Sequence, residues 1–229
     1  MSKLSRRTIL GQVLALLPSA YILTANSRSD AVNKKEEEVS PAEDLMREHG
    51  ALNRMLLIYD HVASQLKSDK TVSLKPLGAT AALIRDFIEN YHEKLEENYL
   101  FPRFEKAGKM TDLVNTLRAQ HEAGRTITAQ VLEYAKNPEL GSDTKQELSN
   151  HLFAFVKMYR PHEAHEDTVL FPAFKDLVEE ADYKELGEKF EDQEHKLFGA
   201  HGFEKNVERI AAIERELGLY ELAQFTAML

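Results

Sequence analysis

Residues 92–104 read HEKLEENYLFPRF, and residues 162–174 repeat this pattern as HEAHEDTVLFPAF, with 7 of 13 positions identical. Each copy places a His and a Glu four residues apart, shortly before a Leu-Phe-Pro. A single His precedes each copy, at His49 and at His121. The doubled pattern supplies four imidazoles and two carboxylates, a set of ligands that suits a pair of transition-metal ions.

The periodicity around the repeat predicts an all-α fold. From residue 41 onward apolar side chains recur at spacings of three and four, while Gly and Pro are sparse. We expect an up-down four-helix bundle with helices at 41–67, 76–106, 110–136 and 142–178. Two additional C-terminal helices are predicted at 182–199 and 202–229, the second with an apolar face of Phe203, Val207, Ile210, Ile213 and Leu217.

The polar residues of the repeat occupy helix positions where the pattern calls for an apolar side chain. An ionised carboxylate without partners is costly to bury, and a neutral imidazole still needs its nitrogens satisfied. A single inward His is more often a satisfied core residue than a ligand. Six inward polar residues from four helices, at duplicated spacing, instead predict shared metal ligation by His49, His92, Glu96, His121, His162 and Glu166.

These motifs resemble the hemerythrin-like (HHE) family, because both His-x3-Glu pairs are followed by Leu-Phe-Pro. The resemblance covers about residues 41–178 and implies a non-haem diiron centre in which Glu96 and Glu166 bridge the two irons. Manganese and zinc are the alternatives, although a structural zinc needs only four ligands. Oxygen-carrying members have a fifth His from the third helix, whereas Leu117 and Arg125 flank His121 here. The chain therefore resembles the four-His, two-Glu branch, which includes iron-sensing and iron-centre repair proteins.

Further residues are candidates for the edge of the site. His195 lies close to the repeat period beyond His121, but nearly opposite Leu186 on its helix, so we weigh ligation against a surface role. Glu93 and Glu163 are candidates for alternative ligands or for water-facing side chains.

Other side chains near the repeat are expected to play supporting parts. His165 suits either a role behind the ligands or a position facing solvent. His151 lies about three turns from His162, too far to share a centre. The sequence leaves two roles open for Tyr91, Tyr99 and Tyr159: packing in the core, or hydrogen bonding to a species bound to the metal. Pro161 is expected to kink the fourth helix, and Pro102 and Pro172 to break or bend the helices after each site.

Composition excludes several classes of function. The chain has no Cys, so thiolate metal sites and cysteine nucleophiles are excluded. A formal charge of −9 without a basic run beyond the extreme N-terminus disfavours nucleic acid as a partner.

The N-terminus predicts export rather than a stable membrane span in the mature chain. Residues 5–10, SRRTIL, resemble a twin-arginine signal ahead of an interrupted apolar run. We therefore divide the chain into an export signal (1–25), a linker (26–40), the bundle (41–178) and a C-terminal helical extension (179–229). The expected location is the periplasm, or the inner membrane if the signal remains as an anchor.

Three functions fit these features. The first is a diiron protein that binds or senses a small diatomic ligand, oxygen or nitric oxide. The second is a diiron oxidoreductase, either a peroxidase or a nitric oxide reductase. The third is an iron-handling protein, or one whose metal controls docking to a partner.

Overall fold

The first helix begins at a capping box that the sequence supplies locally. The Ser40 hydroxyl accepts a hydrogen bond from the Glu43 amide at 3.3 Å, and the Glu43 carboxylate accepts one from the Ser40 amide at 2.9 Å. Pro41 then occupies the first turn, where its missing N–H is not needed. The computed structural model describes residues 39–227 except 69, 71 and 138.

Six long helices account for most of the described residues, and no strand occurs among them. They are α1 (Pro41–Lys67), α2 (74–107), α3 (Thr111–Tyr134), α4 (142–177), α5 (Glu180–Phe198) and α6 (Gly202–Leu217). Helices α1 to α4 form a ring in which each packs against its two neighbours. Short loops join consecutive helices, which makes neighbours antiparallel. The predicted all-α bundle with extra C-terminal helices is confirmed.

Helices α5 and α6 pack on the face formed by α1 and α2. Phe198 and Phe203 contact the buried ring of Phe87, with ring centroids 5.6 and 6.3 Å apart. On α1, Arg54 makes a bidentate pair with Glu214 of α6, whose side chain is 7% exposed. The C-terminal helices therefore extend the hydrophobic core of the bundle.

Wide π turns interrupt α2 and α4 where the repeated motif lies. They span Ile84–His92 and Glu96–Leu100 in α2, and Glu166–Leu170 in α4. At the end of the second and third π segments, the amide of the Phe in Leu-Phe-Pro donates to the carbonyl of the Glu five residues earlier.

The π turns explain how the helices continue past the motif prolines. A proline ring clashes with the carbonyl four residues earlier in a regular α-helix, and the wider turn relieves that clash at Pro102 and Pro172. Both α2 and α4 continue through these positions, so the predicted break is wrong. The α-helical segment Ser142–His165 likewise runs through Pro161.

The last predicted helix is too long. It ends at Leu217, because Gly218 adopts φ 70° and caps the helix in a left-handed conformation. Beyond it the chain forms only a 3₁₀ turn at Leu222–Phe225.

The predicted export signal, and the linker apart from its last residues, lie outside the described residues. Within the described part of the chain, no helix combines the length and apolar character needed to cross a bilayer.

Candidate metal centre

The six predicted ligands converge in the bundle core as two groups of three. One group joins His49 of α1 to His92 and Glu96 of α2. The other joins His121 of α3 to His162 and Glu166 of α4. All six side chains are buried, none more than 4% exposed, and within each group the candidate ligand atoms lie within 4.8 Å of one another.

The two carboxylates lie between the two groups. Glu96 Oε1 is 3.8 Å from His92 Nε2, and its Oε2 is 3.4 Å from His121 Nε2. Glu166 Oε2 is 3.1 Å from His162 Nε2 and 3.3 Å from His49 Nε2. Ligands at right angles on an ion with bonds of about 2.1 Å stand about 3.0 Å apart. The spacing therefore fits two metal ions that share both carboxylates.

Each imidazole is held from behind by a side chain of another helix. Glu48 of α1 holds His92 of α2. In the same way, a side chain of α2 holds the His of α3, one of α3 holds the second-group His of α4, and one of α4 holds the His of α1. The distances from Nδ1 to the acceptor oxygen are 2.9 Å for His92 to Glu48, 3.1 Å for His121 to Glu97, 2.8 Å for His162 to Gln120 and 2.7 Å for His49 to Asp167. A ligating His commonly donates its second nitrogen in this way, which fixes its tautomer and orientation.

This ring of acceptors turns Nε2 of each imidazole toward the core. With Nδ1 donating outward, an imidazole in its neutral form presents an Nε2 lone pair there. His121 Nε2 and His162 Nε2 are only 3.2 Å apart, so the lone pairs of the two neutral rings would oppose each other. None of the four oxygens of Glu96 and Glu166 accepts a well-formed hydrogen bond. Metal cations would satisfy this combination of buried electron donors.

The Phe of each Leu-Phe-Pro covers the imidazole of the upstream His. Phe171 stacks on His49 with ring centroids 5.5 Å apart, and Phe101 stacks on His121 at 5.6 Å. Both Phe side chains are at most 1% exposed. The motif thus supplies a ligand, a carboxylate and an apolar cover from one stretch of helix.

Burial and neighbouring charges perturb the protonation of these groups strongly. Burial alone would lower the pKa of His49, but the nearby carboxylates of Asp167 and Glu166 raise it to about 10. Burial lowers the pKa of His121 to about 4. Burial and the nearby Glu166 carboxylate raise the pKa of Glu96 well above its usual value. Strongly shifted pKa values of this kind are typical of a functional site.

Glu93 and Glu163 flank the two groups, and neither faces water as one interpretation of the sequence allowed. Glu93 is 1% exposed, accepts a hydrogen bond from the Tyr159 hydroxyl at 2.7 Å and pairs with Arg125 at 2.6 Å. Glu163 is 2% exposed and accepts a hydrogen bond from Asn53. Burial raises the pKa of each carboxyl to about 8.

Glu93 also belongs to a third cluster, which includes Glu97 and His121 and has the spacing of a metal site. The guanidinium of Arg125 already occupies this cluster, since it lies 2.6 Å from Glu93 and 2.5 Å from Glu97. The third cluster therefore already holds a cation supplied by the chain.

The hydroxyl groups of the three tyrosines make different contacts in the structure. Tyr159 is fully buried beside His162, and its hydroxyl is committed to Glu93. Gly124 makes this possible, because a Cβ there would lie 2.1 Å from the Tyr159 hydroxyl oxygen. The Tyr99 hydroxyl accepts from Gln193 at 2.7 Å, and the Tyr91 hydroxyl points to the Phe190 carbonyl at 3.5 Å.

The remaining histidines lie outside the two groups. His195 is exposed on α5, where Leu186, Phe190 and Glu194 form the buried face, and it contributes no ligand atom to either group. His165 is exposed and hydrogen-bonds the Pro161 carbonyl at 2.6 Å.

The sequence interpretation missed the four side chains that hold the imidazoles. A signal for them exists in the repeat. Glu97 and Asp167 each follow the Glu of the His-x3-Glu pair, and Glu48 and Gln120 each precede the upstream His. Each lies one residue off the inward stripe, so it meets a His on the neighbouring helix rather than on its own.

A four-helix bundle with a buried His and Glu cluster of this kind defines a metal-binding bundle protein. Residues 40–174 match the family model described as the hemerythrin HHE cation binding domain, and the chain belongs to that family. Membership implies a metal cofactor, typically iron, and hemerythrin domains bind small ligands such as oxygen.

Similar proteins occur in mycobacteria and are described only as uncharacterized. One is from Mycobacterium bovis, and two are from strains of Mycobacterium tuberculosis. Each is 44% identical over 201 residues, which cover 87% of this chain and 78% of the relative. No solved structure gives a significant match to the chain.

Proposed function

We propose that the chain is a non-haem diiron protein that binds or senses a small diatomic ligand, either oxygen or nitric oxide. The two irons are held by His49, His92, Glu96, His121, His162 and Glu166, with both glutamates bridging. The family and the paired clusters support a metal centre. The number of ions and the identity of the small ligand are part of the proposal.

One observation carries the proposal. Four Nε2 atoms and two carboxylates meet in a dry core, where the carboxylates find no well-formed hydrogen bond and two imidazole nitrogens stand 3.2 Å apart. Two divalent cations would compensate both carboxylates, and six ligands shared between two ions leave coordination positions open for a small molecule. The six residues divide into two sets of mutually close ligand atoms, which favours two ions over one.

When bound, a ferrous pair would supply the electrons and open positions with which a diatomic molecule interacts. The chain's own part is to hold the site rigid and dry. The four Nδ1 acceptors fix each imidazole, and Phe101 and Phe171 exclude water from the faces of His121 and His49.

The test measures iron content and visible absorption of the protein purified without oxygen. We expect two irons per chain and a spectrum that changes on exposure to oxygen or nitric oxide. His92→Ala should lose iron, whereas His195→Ala, at an exposed position outside both groups, should retain it. A spectrum insensitive to both gases would remove the proposed ligand class while leaving the metal site.

A diiron oxidoreductase is a second candidate, favoured by the buried carboxyls of Glu93 and Glu163. Each has a pKa raised to about 8 by burial, which brings its proton exchange close to neutral pH beside the centre. Steady-state consumption of peroxide or nitric oxide would support turnover. A single stoichiometric reaction would count against it.

We also propose export through the twin-arginine route, on the sequence SRRTIL alone. Fractionation of cells that express the full chain tests this. Replacing Arg6 and Arg7 together by Lys should retain the protein in the cytoplasm.

A further inference from the structure

The two halves of the centre are related by the sequence repeat but differ in the charges behind their histidines. His49 and His92 form the first half, and His121 and His162 form the second. The repeat relates His49 to His121 and His92 to His162, so each supporting side chain has a counterpart in the other half. Three such pairs of supporting residues differ either in their own charge or in the cations that contact them.

The first difference is an acid replaced by an amide. Glu48 lies 2.9 Å from Nδ1 of His92, while the counterpart behind His162, Gln120, lies at 2.8 Å. The geometry is the same in both halves. The carboxylate makes the His in front of it a stronger electron donor than the amide does.

The second difference concerns the cations that contact the other two acceptors, Asp167 and Glu97. Asp167, behind His49, contacts no Lys or Arg among the described residues. Glu97, behind His121, pairs with Arg125 at 2.5 Å and with Lys94 at 2.5 Å. Its charge is therefore shared with two cations instead of acting on His121 alone.

The third difference comes from the residue one turn after each upstream His. Four residues after His49 stands Asn53, which donates a neutral hydrogen bond to Glu163. Four residues after His121 stands Arg125, which pairs with Glu93 at 2.6 Å. The cation that compensates Glu97 in the second half is therefore this same Arg125, and the first half has a neutral amide at its counterpart position.

All three differences act in the same direction. They place more negative charge behind His49 and His92 and more positive charge behind His121 and His162. A cation is stabilised by the first environment and destabilised by the second, and in a buried site such charges are poorly screened.

We infer that the two metal positions are unequal in affinity: the position of His49 and His92 binds metal more tightly and fills first, and that of His121 and His162 is the weaker one. This rests on the proposed two-ion centre. Residues that hold ligand histidines typically change metal affinity by about 10–100-fold, so we expect the two steps to differ by at least about 10-fold.

The experiment titrates the metal-free full chain with ferrous iron under anaerobic conditions, with free iron set by a competing chelator. The wild type should bind one ion per chain in a tight step and a second in a weaker step. His121→Ala should keep the tight step and lose the weak one, while His49→Ala should lose the tight step.

Exchanging the counterpart residues tests the cause. Gln120→Glu should tighten the weak step by about 10-fold, and Glu48→Gln should weaken the tight step by a similar factor. The matched control is Glu133→Gln on the same helix as Gln120, which alters a 70% exposed partner of Lys136 that belongs to neither metal group. Circular dichroism of each metal-free variant checks the fold independently of iron.

The outcomes separate the two proposals. Two ions bound with equal affinity would overturn the inequality and leave the diiron centre standing, and so would a Gln120→Glu step that matches the control. A chain that never binds more than one ion at saturating iron would overturn both. If the exchanged variants fail to fold, the wild-type step ratio and the two His→Ala variants decide the question.

Discussion

Replacing Glu96 by Leu should stabilise the metal-free protein while abolishing metal binding. Glu96 is fully buried, neither of its oxygens accepts a well-formed hydrogen bond, and the nearest imidazole nitrogens are 3.4 and 3.8 Å away. Its pKa is raised well above the usual value by burial and by Glu166, which shows that the carboxylate is unfavourable in this core without a cation.

The expected gain follows from exchanging a poorly compensated buried acid for an apolar side chain of similar volume. A buried polar group without hydrogen bonds costs about 1–3 kcal/mol, which the apolar replacement should recover. In a domain of this size each kcal/mol moves the unfolding midpoint by about 2–4 °C. Urea unfolding followed by circular dichroism, with excess chelator, measures the difference from the metal-free wild type.

Glu93→Leu is the matched control, on the same helix and equally buried. Glu93 is paired with Arg125 and Tyr159, so its removal leaves both without that partner. We expect it to destabilise the metal-free protein by about 1–3 kcal/mol. If Glu96→Leu proved as destabilising as Glu93→Leu, the carboxylate of Glu96 would be structural, and the reasoning that assigns it to a metal would be refuted.

Three further changes test other parts of the structure. Gly124→Ala should destabilise the bundle by about 1–3 kcal/mol, because the new methyl group displaces a buried tyrosine hydroxyl. The control Gly50→Ala, with open space at its Cβ, should raise stability by up to about 1 kcal/mol. Equal effects of the two substitutions in thermal melts would contradict this. The raised pKa of Glu163, about 8, means that its protonated form stabilises the metal-free fold below its ordinary pKa and that this contribution is lost as the pH rises toward 8. Glu163→Gln should therefore flatten the decline in stability over that range by up to about 1.4 kcal/mol per pH unit, and parallel pH profiles would refute the assignment. Arg54→Ala should lower stability by about 1–3 kcal/mol, because it leaves the mostly buried carboxylate of Glu214 unpaired, and urea midpoints that match the wild type would show that the pair does not anchor α6.

Much of the fold was predictable because its signals are local. The helix at 41–67 has the predicted bounds, since Ser40 and Glu43 form a capping box and the apolar stripe is regular. The six core polar residues stood out because the duplication placed each one on an apolar stripe. The ends of the last helix depended on Gly218, whose left-handed conformation the apolar pattern did not reveal.

The parts that escaped prediction depend on contacts between helices. Glu97 and Gln120 sit beside the inward stripe, and only the rotation of the neighbouring helix decides that each meets an imidazole. At Arg125 the sequence indicates only that a fifth His is absent, whereas the structure shows the guanidinium pairing with the buried Glu93 and the partly buried Glu97. The π turns likewise escaped prediction, because the sequence does not reveal the hydrogen bonds across five residues that precede Pro102 and Pro172.

The most direct test of the central claim is Mössbauer spectroscopy of the iron-loaded full chain, with iron counted per chain. The account predicts two irons per chain that are magnetically coupled through the bridging carboxylates of Glu96 and Glu166. One isolated iron per chain, or two that show no coupling in any oxidation state, would contradict a shared centre built from both halves of the repeat.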